Sequence, residues 1–268
     1  MREAPVGQRC PDCVKGENKT VRQARTIFGA VVRHGGTAYV TYTIIALNVI
    51  AYVVELVHPA VINRFDVFGT GLVDAAGRYY VNDGVPAPGY QAIGVLHGEV
   101  WRLFTGAFLH QLPGDSGFGL THIVFNMMWI ATLGVFLERQ LGWWRFLALY
   151  LISALGSSVF VVIIDPHQGA IGASGAGFGM AAAYFVITRK LHEYPIDRNR
   201  LLFTFVIWLV LAAGFTSWQG HLGGLLTGAV VALGLAYAPP RKREIAQAVV
   251  LALVTLVLIA AIAAKAAG

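Results

Sequence analysis

An all-α, polytopic membrane bundle is the fold class that this sequence predicts, and three features of it carry that expectation. Hydrophobic residues make up 56% of the 268 and charged residues only 13%, with a mean hydropathy of +0.63, which leaves too little polar surface for a soluble chain of this size. The apolar residues are gathered into seven runs, most of which, at about 1.5 Å rise per residue, match the roughly 30 Å of a bilayer's hydrocarbon. The connectors between the runs alternate in their content of Arg and Lys.

Residues 1–37 are polar, rich in Arg and Lys, and contain both cysteines, Cys10 and Cys13, as Cys-Pro-Asp-Cys. No apolar stretch there has the length of a cleaved signal peptide. Two cysteines supply half of a tetrahedral zinc site, so the pair reads as a reduced thiol pair or as the remnant of a metal-binding module, and no metal is assigned to it. The first span covers about 37–57. A long polar stretch, 58–118, follows with Asp66, Asp74, Asp83, Glu99 and Asp115 and ends in the semi-apolar passage 99–110. Its Trp101-Arg102 pair, with the Phe and Leu that follow, suits a segment lying at headgroup level. Further spans are expected at about 119–138, 146–165, 172–188, 201–215, 218–237 and 245–264, the fifth and sixth separated by Thr216 and Ser217 alone.

Charge gives the orientation. With the N-terminus cytoplasmic, the inside segments hold the seven basic residues of the tail, Arg139 and Arg145, then Arg189, Lys190, Arg198 and Arg200, then Arg241, Lys242 and Arg243. Only Arg64, Arg78, Arg102 and Lys265 fall outside this set of sixteen among the 20 basic residues, as the positive-inside rule requires. The net charge of +6 is thereby explained by orientation in the bilayer, and nucleic acid is not expected as a partner.

In this topology the second, fourth and sixth spans begin on the outer side, and their first turns carry the polar residues His122 and Asn126, Ser174, and His221. Polar groups inside a membrane are costly and face a bundle interior or a wet cavity. Here four of them, on three helices, share one depth. The glycines around Ser174 by themselves fit a small-residue packing face, and a lone intramembrane histidine fits a structural hydrogen bond; the common depth favours a site. A serine requires a base near neutral pH, and imidazole has a suitable pKa. His122 and Asn126, four apart on one helix face, and the backbone amide of Ser174 at a helix start are candidate donors to an oxyanion. No carboxylate lies within the spans, as opposed to their ends (Glu55, Glu138, Asp165) or the loops, so the expected constellation is a Ser174–His221 dyad. Phe178, one turn after Ser174, is placed to pack on the imidazole. Gly224 and Gly228 leave the His221 helix bare enough to approach the Ser174 helix closely.

Taken in order, Trp101-Arg102, His122 with Asn126, Gly172-Ala173-Ser174-Gly175, and His221 with Gly224 and Gly228 resemble the motifs of the rhomboid family of intramembrane serine proteases over about 38–237. The resemblance implies a six-helix catalytic core in which Ser174 attacks a peptide bond of another protein's transmembrane segment. His221 would act as general base and then acid, and His122 and Asn126 would line the oxyanion hole. Trp101 and Arg102 would have a structural role in a membrane-embedded loop. Phe178 stands where the family often has a tyrosine, keeping the ring without the hydroxyl. Residues 238–268, a basic linker and seventh helix, resemble the C-terminal addition of six-plus-one bacterial rhomboids, and 1–37 the end of a small zinc module whose other ligands are absent here.

The expected activity is therefore that of a cell-membrane, multi-pass serine endopeptidase needing no cofactor, with its site opening to the extracytoplasmic side. Its partners would be transmembrane protein substrates and the lipid bilayer. Backbone carbonyls of an intact helix are hidden in hydrogen bonds, so cleavage requires local unwinding, which Gly or Pro near the scissile bond would ease. A proteolytically inactive rhomboid-like protein that binds transmembrane helices is the alternative, although it would be expected to have lost Ser174 or His221. A small transporter would carry ionisable groups near the midplane and two similar halves, neither of which is seen.

Overall fold

Helix ends determine how this chain is built, because each leaves backbone donors or acceptors that a membrane does not satisfy. The computed structural model describes residues 2–3, 8–10, 23–32, 36–80, 88–114, 119–214 and 216–268. Seven main helices occur in the predicted order: α1 (Tyr39–Val57), α2 (Leu120–Leu141, with a π-helical stretch at Ile130–Gly134), α3 (Trp143–Ile164), α4 (Ser174–Thr188), α5 (Arg198–Leu211), α6 (Trp218–Tyr237) and α7 (Arg243–Ala267). The protein is a multi-pass membrane bundle. Among the described residues, five of the helices are long and apolar enough to cross a bilayer. The expected fourth and fifth spans are helices of 15 and 14 residues. For α4 the reason is visible in the chain ahead of it. Ala170 pairs with Val67, and the Gly172 amide donates to the Gly106 carbonyl at 2.9 Å, so residues 170–172 are held by loop contacts and the helix starts within the bundle.

The bundle is all-α as expected, and two small sheets lie outside it. Strands β1 (Arg2–Glu3) and β2 (Gln8–Arg9) pair in the tail, and β3 (Gly71–Asp74), β4 (Tyr79–Tyr80) and β5 (Tyr90–Ile93) form an antiparallel sheet of order β4-β3-β5 in the first loop. Its tight turn is locally encoded. Asp74 Oδ1 accepts the amides of Ala76 and Arg78, each at 2.9 Å, and Gly77 takes φ +76°, a side chain-to-backbone turn that aspartate and glycine favour. Cys10 is exposed, whereas Cys13 lies outside the described residues.

Arg102 organises the rest of the first loop. Its side chain is fully buried, and the guanidinium donates to Glu99 Oε2 (2.6 Å), Asp66 Oδ1 (2.8 Å) and the carbonyls of Asn63 (3.1 Å) and Asp66 (2.9 Å). It also lies over the Phe68 ring. Planar, multidentate donation of this kind is what distinguishes Arg from Lys. Its neighbour Trp101 stays largely exposed.

Two buried polar groups join distant segments. Ala38 offers α1 no side-chain cap; instead Glu138, from the last turn of α2, accepts the amides of Val40 (3.1 Å) and Thr41 (2.8 Å) and the Thr41 hydroxyl (2.8 Å). A carboxylate from another helix thus satisfies orphan donors at this N-terminus. At the other junction, Gln247 of α7 is wholly buried. It accepts from Arg145 Nε of α3 (2.6 Å) and donates to the carbonyls of Leu235 in α6 (2.8 Å) and Phe28 of the tail (3.2 Å). Lipid-side positions elsewhere are apolar and exposed, as with Ile50 and Val53 of α1 or Leu253 and Val257 of α7.

Glu138→Ala strands two buried donors of Thr41 and the half-buried Val40 amide, and at about 1 kcal/mol or more for each buried donor it is expected to destabilise the bundle by on the order of 2–3 kcal/mol. Thermal unfolding in detergent, with Glu138→Gln as the milder control, measures this.

Candidate active site

Close helix approach places the candidate residues. α6 packs mainly on α4 and α3, and glycines face each other along the α4–α6 seam: a β-carbon on Gly224 would run into the carbonyl oxygen of Gly175, and one on Gly228 into the backbone of Gly179. The opposite edge of α4 is filled by α3, where Ser157 occupies the space of a Gly175 side chain and Ser153 that of Gly179. Small residues at this spacing let backbones meet. Ser174, first residue of α4, and His221, in the first turn of α6, are thereby neighbours.

Ser174 Oγ lies 2.8 Å from His221 Nε2, within the range for a nucleophile and its base. Phe178 lies one turn below Ser174 and stacks on the His221 ring, with centroids 4.4 Å apart and planes at 14°. Phe205 of α5 in turn meets Phe178 edge-on at 5.0 Å, and Trp129 of α2 meets Phe205 at 4.9 Å. His221 Nδ1 is buried and, among the described residues, has no hydrogen-bonding partner. Among the described residues no carboxylate meets the ring, and the Phe178 face packs against it.

His122 and Asn126 line the same cavity, of about 570 Å³, together with Ser174 and His221. The Asn126 side-chain amide donates to the His122 carbonyl of its own helix at 2.9 Å, leaving its second N–H for the cavity. Beside His122 stands Gly172, with φ +121°, where a β-carbon would lie 2.8 Å from His122 Nε2 and 3.6 Å from Ser174 Oγ. Left-handed backbone and lack of space both require glycine here. An exposed flank of the cavity is formed by Phe125 and Met128 of α2 and by Phe203, Ile207 and Trp208 of α5.

Several contributors to this site have no local sequence signal. Gly106 and Val67 fix the loop ahead of Ser174 through backbone hydrogen bonds, and Phe205 reaches Phe178 from a helix whose only other buried residue is Leu201. His110 and Gln111 back the His122 ring. Burial pushes the His110 imidazole in the first loop down to about 3, so it stands neutral.

Fold and site together define a polytopic membrane protein with a serine–histidine pair in a cavity inside its helical bundle. The Rhomboid domain model matches residues 97–238, and the chain belongs to the rhomboid family. It is similar to RHOMBOID-like protein 6, mitochondrial, of Arabidopsis thaliana, with 35% identity over 137 residues, covering 48% of this chain and 42% of that protein. Similarity to the rhomboid protease GluP of Bacillus subtilis is 33% over 166 residues, covering 59% of this chain and 31% of GluP. RHOMBOID-like protein 1 of Arabidopsis thaliana is 34% identical over 137 residues, covering 48% of this chain and 33% of that protein. The matches thus span less than half the length of these relatives.

Gly172→Ala is expected to displace the His122 ring and to slow modification of Ser174 by a fluorophosphonate at least about tenfold, given that one oxyanion donor is worth about 10²–10³. Labelling rates, compared at matched thermal stability, check it.

Proposed function

We propose that this chain is an intramembrane serine endopeptidase that hydrolyses peptide bonds in or near transmembrane segments of other membrane proteins. The observation that carries this reading is the 2.8 Å contact of Ser174 Oγ with His221 Nε2 in a cavity inside an apolar bundle. Similarity to GluP, itself a rhomboid protease, supports it.

His221 Nε2 takes the Ser174 proton as Oγ forms a bond to the scissile carbonyl carbon. The resulting oxyanion accepts hydrogen bonds from His122, from the free N–H of Asn126 and from the Ser174 amide at the open N-terminus of α4, where helix donors are unpaired. Collapse of the intermediate breaks the C–N bond, and His221 returns the proton to the departing amine. Water then enters, loses a proton to His221 as its oxygen bonds the acyl carbon, and the Oγ–C bond breaks with His221 returning that proton to Ser174 Oγ. With no carboxylate behind the base, the Phe178 face holds the imidazole in register. A substrate helix approaches along the apolar flank between α2 and α5, and its unwound segment extends toward Ser174. Small side chains at the scissile bond fit between Gly172, Gly177 and Gly220, which line the cavity.

Residues 38–237 form the six-helix protease core in this reading, 1–37 a cytoplasmic tail, and 238–268 a linker with the extra helix. The tail and the connectors α2–α3, α4–α5 and α6–α7 face the cytoplasm of a cell membrane, and Ser174 faces the extracytoplasmic side.

Fluorophosphonate labelling of the purified chain, run beside cleavage of a model transmembrane substrate, tests the reaction. Ser174→Ala and His221→Ala are each expected to lower both signals by at least about a thousandfold, as loss of a nucleophile or base does in serine hydrolases. Undiminished cleavage in folded Ser174→Ala overturns the assignment. A wild-type chain that binds transmembrane segments while neither labelling nor cleaving supports the inactive, helix-binding alternative.

A further inference from the structure

Glu55 and His110 have no part in the chemistry above, yet both are wholly buried beside it. Glu55 belongs to the last turn of α1 and His110 to the segment leading into α2. A carboxylate and an imidazole there, away from solvent, are costly unless they hold something in place.

Two consecutive amides show what is held. The His110 N–H donates to Glu55 Oε2 at 2.9 Å, and the Gln111 N–H donates to His122 Nδ1 at 3.2 Å. The two amides are consecutive in one short stretch of backbone, so anchoring amide 110 on Glu55 also places amide 111, which meets His122. An amide only donates, so His122 Nδ1 is the accepting nitrogen and its ring proton sits on Nε2. Nε2 and Cε1 form the edge of the ring that stands next to Gly172, whose β-carbon position is 3.6 Å from Ser174 Oγ. The His110 ring fills the space behind, tilted on His122 at 5.2 Å between centroids and met edge-on by Tyr52 of α1 at 6.3 Å.

We infer that Glu55, acting through the His110–Gln111 backbone, is a positioning residue that fixes His122 as an Nε2–H donor directed at the Ser174 side of the cavity. The inference rests on the reading of His122 as an oxyanion donor. In the other tautomer His122 would lose its bond from Gln111 and present a lone pair to the oxyanion, which repels it. Glu55 thus does for the oxyanion donor what an orienting carboxylate does for the base in a triad, although it does so through two peptide amides and from the first helix.

The test uses the full chain in detergent micelles with ¹⁵N-labelled histidine, His122 being assigned by its loss in His122→Gln. Long-range ¹H–¹⁵N correlation reads which ring nitrogen carries the proton. Wild type is expected to show Nε2–H at His122. Glu55→Gln, which keeps an acceptor for the His110 amide, should retain it. Glu55→Leu should give mixed tautomers and lower the maximal rate of fluorophosphonate modification about tenfold to a hundredfold, short of outright removal of a donor, with half-saturation unchanged. Nδ1–H in the wild type overturns the inference. So does an unaltered His122 spectrum in folded Glu55→Leu, or a shifted tautomer in Glu55→Gln, the variant that decides the matter if Glu55→Leu fails to fold. The spectrum requires no turnover, so a serine inert in every variant refutes the hydrolase reading while the tautomer still decides the role of Glu55.

Discussion

Contact between the backbones of α4 and α6 is the constraint on which the rest of this molecule depends. Ser174 and His221 belong to different helices, and a hydrogen bond of 2.8 Å between their side chains demands helix axes closer than ordinary side chains permit. Gly175 and Gly179 on one helix, and Gly224 and Gly228 on the other, remove the intervening atoms. Van der Waals contact along such a seam, rather than hydrophobic exclusion, drives association in a lipid environment. It also defines the register of the two helices, because the backbone of Gly175 occupies the place of a Gly224 side chain and that of Gly179 the place of a Gly228 side chain. Packing and chemistry are thus the same feature seen at two depths, with the seam below and the dyad at its mouth.

A cavity containing polar groups weakens a bundle, and the compensation is found at a distance. Glu138 ties the end of α2 to the start of α1, Arg102 gathers the first loop around itself, and Gln247 joins α7 to α3, α6 and the tail. Each of these side chains satisfies backbone groups or charges that lipid would leave unpaired. The bonds cross between segments far apart in the chain, so they brace the bundle against splaying where the glycine seam has least area. α5 takes no part in this bracing. Its described inward residues are few, and its outward face is apolar and exposed; it is held to α4 by Arg198, which donates to the Thr188 carbonyl, and by Phe205 on Phe178.

How far the molecule is legible in its sequence follows from the range of the interactions involved. The seven helices are legible because apolar runs and charged connectors are local signals, and so is the nearness of Ser174, Phe178 and His221, which needs only an i, i+4 spacing and a glycine face. The first-loop sheet was missed, although its Asp74-Ala75-Ala76-Gly77 turn is a local signal, because strands of two to four residues carry little periodicity. The fourth helix is found where its apolar run lies, and only its start, two residues later than expected, is set by Val67 and Gly106, about 70–100 residues earlier in the chain. Glu138 and Glu55 look like ordinary span-end carboxylates on paper. Only the three-dimensional structure shows one capping α1 and the other holding the amide of His110.

These distant carboxylates bear on how a site without a triad carboxylate remains organised. In the serine–histidine–aspartate arrangement one buried charge orients the base directly, and desolvating that charge is part of the cost of the site. Inside a bilayer the cost is larger, and here the His221 ring is stacked on an aromatic face, which carries no charge to desolvate. Phe178 restrains rotation of the His221 ring, and Phe205 and Trp129 restrain Phe178 in turn. The chain of rings runs from the base to α5 and α2, the two helices that flank the open side of the cavity. The packing behind Phe178 therefore depends on where α5 stands, and the alignment of His221 with Ser174 depends on it in turn through one aromatic contact, Phe178 with Phe205.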